Sequence, residues 1–319
     1  MHKVLEATTP IYLLIALGYI AVRQGWLETV DLRALGRFVA RFGLPALIFR
    51  AISAQPIATI LDARYLAVYA AGSLASLFTI RFVAHAIHRR NPTLASLEGL
   101  GSACSNSAFV GYPIVLQVVG PVAGTALGLC ALVENIVMVP LGLALASAGA
   151  GAGEATRMWR SQMGAALRGM ARNPLFIGVV LGVVAATLQW HAPPAVDRAV
   201  GLLANGASAA SLLVIGGSLV GVRVAGIRAD IALVTVGKLL LHPALVALGV
   251  LLLPPLDPAL RAAAILFAAM PMLSILPILA QPYGEQGVSA AAMLAVIVTS
   301  FFTIAVVIAL LPAAWLPRL

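Results

Sequence analysis

The chain has 319 residues, of which 61% are hydrophobic and only 10% charged, and its mean hydropathy is +1.03. A soluble domain of this length would lack the polar residues to cover its outside, so the composition excludes one and points to an all-α integral membrane protein. The net charge of +9 does not imply nucleic acid, because the arginines fall into alternate loops, as membrane orientation requires, and form no single patch.

Apolar runs of about 20 residues, enough to cross the hydrocarbon core, recur almost without pause. They place ten transmembrane helices at 8–24, 34–53, 64–84, 96–118, 121–147, 174–190, 197–221, 229–253, 259–282 and 287–311. The first span is no secretory signal, since its apolar core is too long and Arg23-Gln24-Gly25-Trp26 is a poor cleavage site. Arg23, Arg33 and Arg37 follow span 1, Arg89 and Arg90 follow span 3, and Arg157, Arg160, Arg168 and Arg172 follow span 5. Arg223 and Arg228 follow span 7, whereas the opposite loops hold only Lys3, Arg64, Arg198, Arg261 and Arg318. This bias predicts that both termini lie on the non-cytoplasmic side.

Span 4 reads EGLGSACSNSAFVGYPIVLQVVG. Pro113 removes a backbone donor and crowds the carbonyl four residues back, and Gly111 loosens the chain before it. The stretch Gly111, Tyr112, Pro113 and Ile114 is therefore a candidate helix break, with Pro113 starting a second half-helix. Asn106, seven residues earlier on roughly the same face, can satisfy freed backbone groups or bind a carboxylate. Gln117 and Gln281, four residues after Pro113 and Pro277, suit the structural role better.

Span 5 carries Glu134, an acid near mid-membrane, which must be protonated, paired or facing water. It reads equally as a proton carrier or as a neutral group bonded between helices. Cys104 and Cys130 lie inside spans as small core residues, and there is no Cys/His cluster with metal spacing, so no cofactor is expected beyond a coupling proton or sodium ion.

The segment 148–173 is a short cytoplasmic linker. Met158, Trp159, Met163, Leu167 and Met170 can share one side of an amphipathic helix lying on the lipid surface, and a plain linker is the alternative. Span 7 is crowded with small residues (GASAASLLVIGGSLVG), which suits close internal packing or a homodimer contact through spans 2 and 7. In span 8, Lys238 and His242 sit one turn apart. Lys238 can snorkel to the headgroups, or it can pair with Glu134 or a substrate charge. Arg41 and Arg50 in span 2 read as interfacial.

Span 9 repeats the phrase of span 4. PIVLQVVG at 113–120 and PILAQPYG at 277–284 share Pro, Ile, Gln and Gly at an offset of 277 − 113 = 164 residues. The same offset maps Pro10 to Pro174, Gly18 to Gly182, Trp26 to Trp190 and Asn135 to Thr299. Pro277 and Ile278 thus become the counterparts of Pro113 and Ile114, with Pro271 and Pro282 adding further breaks. Two five-helix repeats follow, 1–147 and 174–319, and an odd number of spans per repeat makes them inverted. If the broken spans 4 and 9 cross, a midplane anion site results, with Asn135 and Thr299 as further polar candidates.

With these residues placed, the chain resembles the auxin efflux carrier family. The match rests on NSAFVGYPIVLQVVG (106–120), ILPILAQPYGEQ (275–286), RFGLPALIFRAI (41–52) and KLLLHPAL in span 8. The resemblance implies a fold related to the bile-acid symporters, with spans 1, 2, 6 and 7 as a scaffold, often dimeric, and spans 3–5 and 8–10 as a transport domain. It also implies that Asn106, Pro113 and Pro277 are substrate-facing. The expected function is a secondary transporter of a small organic anion by alternating access, outward by the family's name. A sodium-coupled symporter of the same fold and a membrane-embedded enzyme are the alternatives. No paired acid and base supports the enzyme.

Overall fold

The computed structural model describes residues 2–53, 62–149, 174–190, 192–218, 220, 228–252 and 256–316. The predicted amphipathic stretch at 158–170 lies outside them. In chain order the described helices are α1 (His2–Arg23), α2 (29–53), α3 (Ala63–Ile87), α4 (Pro92–Ala103), α5 (Ser107–Val119) and α6 (Val122–Ala148). They continue with α7 (Pro174–Thr187), α8 (Pro194–Ser218), α9 (Arg228–Leu252), α10 (Pro258–Ala269), α11 (Leu276–Ala280) and α12 (Gln286–Leu310). Five of these, α3, α6, α8, α9 and α12, are each long and apolar enough to cross a membrane. Leu181, Leu188, Leu202, Leu252, Phe302 and Leu310 are all more than half exposed, a surface that lipid covers and water does not.

Two packing groups emerge. Helices α1, α2, α7 and α8 pack chiefly on one another, while α3, α4, α6, α9, α10 and α12 form the second group. The first is closed by glycines. A Cβ on Gly18 would stand 2.1 Å from the Leu213 carbonyl oxygen, and one on Gly216 would stand 1.8 Å from the Ile15 carbonyl oxygen. Only glycine permits such backbone contact, so Gly216 of the small-residue stripe in α8 serves packing within the chain, against α1. Gly216→Ala should force α1 and α8 apart and cost about 1–3 kcal/mol. Thermal unfolding in detergent should show the loss, whereas Gly206→Ala, whose added methyl meets nothing within 4 Å, should show none.

The helix breaks differ from the sequence expectation. Span 4 is interrupted at Cys104–Asn106, where Cys104 is extended (φ −110°, ψ 136°), and α5 begins at Ser107 with Asn106 as its cap. Pro113 therefore does not start the second half-helix. Ser105, Asn106 and Ser107 compete for backbone hydrogen bonds and end the helix first. Pro113 instead lies inside α5 just after a π-turn (Ser107–Gly111), and the Phe109 carbonyl that it strips of a donor accepts a bond from the Ser211 hydroxyl of α8 at 3.0 Å. In span 9 the break is set by Pro271, which holds Met270 extended (φ −67°, ψ 158°). Pro277 does lie in the first turn of α11, where its missing N–H costs nothing.

Candidate functional site

The two interrupted stretches meet. The Asn106 amide donates to the Pro271 carbonyl at 2.7 Å, the Leu273 amide donates to the Cys104 carbonyl at 3.1 Å, and Ser105 lies opposite Met272 in an antiparallel bridge. Each unwound segment satisfies the other's backbone, which hydrocarbon could not do. The Asn106 side chain ties the crossing further. Its Oδ1 accepts from the Phe109 amide at 3.3 Å, and its Nδ2 donates to the Ser274 hydroxyl.

Four helix ends face this point, and two buried charges match two of them. Glu134, on a π-turn of α6 (Val133–Met138), lies at the start of α5. Its Oε1 accepts from the Ser105 amide (2.9 Å), the Tyr69 hydroxyl (2.9 Å) and the Ser107 hydroxyl (3.0 Å). A carboxylate at a helix N-terminus is favoured by the exposed amides there. Lys238, on a π-turn of α9 (Gly237–Leu241), is fully buried. Its ammonium donates to the Ser105 hydroxyl (2.6 Å), to His242 Nδ1 (2.7 Å) and to the Ala268 carbonyl (2.9 Å) in the last turn of α10. A cation at a helix C-terminus is the complementary case.

The snorkelling reading of Lys238 is thereby overturned: three acceptors inside the protein match its three donors, and nothing draws it to the surface. If the ammonium donates to Nδ1, the His242 proton sits on Nε2, which lies 2.9 Å from the Ser73 hydroxyl. Lys238 and Glu134 do not touch. Ser105 stands between them, donating its amide to Glu134 and accepting from Lys238 at its hydroxyl oxygen.

The other sequence candidates are placed unevenly. Gly111, Tyr112, Pro113, Ile114 and Pro277 are buried beside the crossing, whereas Ile278 is exposed. Asn135 is exposed and returns its side-chain amide to the Ala131 carbonyl (2.8 Å), and Thr299 is also exposed, so neither joins the network. Ser105, Ser107, Tyr69 and Ser73 escaped the sequence reading. Their signal was present: Tyr65, Tyr69 and Ser73 recur every fourth residue as a polar stripe on an apolar helix, and serines flank Asn106. Two surface grooves, of about 600 and 590 Å³, lie away from the crossing; one is lined by Phe49, Leu181 and Trp190, the other by Leu240, Phe302 and Trp315. Both are almost wholly apolar and carry no chemistry for an anion.

The chain matches the family described as "Membrane transport protein" over residues 3–308. It is 27% identical over 320 aligned residues to a protein of Rhizobium meliloti (strain 1021) named "Putative malonate transporter", covering 98% of this chain and 96% of that one. The chain is a multi-pass membrane transporter and belongs to the membrane transport protein family, the auxin efflux carrier group.

Proposed function

We propose that the protein is a secondary transporter of small carboxylates, malonate among them, working by alternating access around the crossing of the two unwound stretches. That crossing is the observation that carries the reading. It sets broken backbone, a polar amide and two opposite buried charges inside an apolar helical body, the setting in which carriers bind charged solutes. The substrate's edge is where Ser274 and Ile275 come to the surface beside Asn106. Glu134 already occupies the start of α5, so a carboxylate substrate meets the amide of Asn106 and the neighbouring backbone instead.

In this reading the ten spans form two inverted five-helix units, 1–147 and 174–319, in a bacterial inner membrane, with the arginine-rich loops in the cytoplasm and both termini outside. The group of α1, α2, α7 and α8 stays fixed, and the group that carries the crossing moves. The relative's name supports a dicarboxylate, and the buried charges support coupling to a proton.

Purified protein in proteoliposomes should show saturable flux of labelled malonate, accelerated by a pH gradient and absent from protein-free vesicles. Flux driven by sodium and indifferent to pH would select the sodium symporter instead. No flux of malonate or of any other small carboxylate would overturn the proposal.

A further inference from the structure

A second cluster of ionisable groups lies away from the crossing. Residues Leu94–Ala103 of α4 are buried, packed against α3, α6, α9 and α12, which encloses the Glu98 side chain within the protein. It is 3% exposed, and among the described residues neither of its carboxyl oxygens has a hydrogen-bond donor. Among the charged groups that act on it, the carboxyl group of Asp230, at the start of α9, has the largest influence. Asp230 is fully buried, and Arg90 grips both of its oxygens at 2.7 Å in a bidentate pair.

The charge count does not close. Two buried carboxylates against one guanidinium leave a net negative charge, which is strongly unfavourable. Each oxygen of Asp230 is already held by Arg90, and the two oxygens of Glu98 hold nothing. A proton on Glu98 resolves both problems at once. It removes the excess charge and turns Glu98 into a donor facing Asp230. A metal cation would not serve, because it would sit against the guanidinium, and no group of three acidic, histidine or cysteine side chains suited to a metal occurs among the described residues.

We propose that Glu98 and Asp230 form a proton-binding site, one proton being held between the two carboxyl groups, and that this is the proton coupled to substrate movement. The second half rests on the transport reading above; the first does not. The site lies seven residues before Ser105, about 10 Å along the chain axis from the crossing, on the side of the Arg89–Arg90 loop. The same short helix carries the acid midway along its length and opens into the crossing at its C-terminal end, so a change in the charge on Glu98 bears directly on the moving part.

The other groups that face this helix are few. Arg81, His85 and His88 lie on α3 or just beyond it, and Arg81 is bonded to the Ser96 hydroxyl (3.1 Å). Glu285 lies near Arg90 and accepts from Asn91 at 3.5 Å. Arg228 opens α9 and is exposed, Lys238 and His242 are further along α9, Glu134 is on α6 at the crossing, and α11 and α12 carry no ionisable side chain.

Infrared difference spectroscopy of the full-length protein in liposomes, titrated in pH, tests the site. The wild type should show the carbonyl stretch of a buried protonated carboxyl group that disappears as pH rises. The band should be missing in Glu98→Gln, a neutral variant that keeps the shape of the protonated acid, and kept in Glu134→Gln. Asp230→Asn should shift it by removing its partner. A wild type with no such band, as when buried water solvates an ionised Glu98, would overturn the site, and so would a band that Glu98→Gln leaves unchanged. If malonate is carried, its accumulation under a pH gradient should fall in Glu98→Gln to the level reached without a gradient. Wild-type accumulation would overturn the coupling while leaving the infrared result to judge the site. Absence of any flux in the wild type would count against the transport reading alone.

Discussion

Lys238→Met should cost the protein about 3–5 kcal/mol of stability, the usual penalty for removing one partner from a buried charge arrangement. Methionine fills most of the lysine's volume, so the loss is electrostatic and comes with little cavity. It leaves the Ser105 hydroxyl, His242 Nδ1 and the Ala268 carbonyl without the donor that now joins them. It also leaves Glu134 charged with no counter-charge across Ser105. The double variant Glu134→Gln/Lys238→Met removes both charges together and should recover most of the stability, because a neutral buried pair no longer carries the desolvation penalty. Thermal unfolding of the four proteins of this cycle, in the same detergent, measures the coupling. Transport separates structure from mechanism. If the charges act on the substrate, the double variant will be stable and inactive in malonate flux. A stable and active double variant would reduce the pair to a brace for the helix ends, and an undiminished Lys238→Met would show that the lysine carries no charge there.

Much of the architecture is written in local chemistry. Composition forces a helical membrane protein, because lipid offers no partner to any other backbone arrangement. Pro277 lies in a first helical turn for the reason any proline does. Lys238 and His242, four residues apart on one helix, come within 2.7 Å of each other. The location of the breaks was less legible. Prolines are conspicuous, and Pro113 drew the expected break to itself, yet a helix can absorb a proline through a π-turn when a neighbour such as Ser211 satisfies the freed carbonyl. The actual interruption comes from three small polar residues, Ser105 to Ser107, whose effect depends on finding partners in Pro271 and Leu273. Those partners lie more than 160 residues away and are set by tertiary structure alone. Glu98 was hidden for a related reason. On its own helix it looks like an acid near a loop, and only the burial of α4 and the influence of Asp230, on a helix more than 130 residues later, make it exceptional.

Asn106→Asp tests the anion site with little disturbance to the fold. The substitution changes one atom's chemistry and almost no volume. Aspartate caps a helix as well as asparagine does, so the bond from the Phe109 amide survives. The contact with Ser274 survives as well, since the serine hydroxyl can turn from acceptor to donor. A new repulsion from Glu134 is offset in part by Lys238, on the other side of Ser105. Stability should therefore change by no more than about 1 kcal/mol. A carboxylate substrate would now meet a like charge. At about 5 Å and an effective dielectric of about 20, two such charges repel by roughly 3 kcal/mol. That corresponds to roughly a hundredfold weaker binding. Malonamide, with the same skeleton and no charge, should compete for the site equally well in both proteins if it binds at all. Binding of labelled malonate to the purified variants, read beside their unfolding temperatures, makes the comparison. Wild-type affinity in Asn106→Asp would mean that the anion does not approach this residue, and the crossing would then be a frame for the moving helices and not the place where substrate is held.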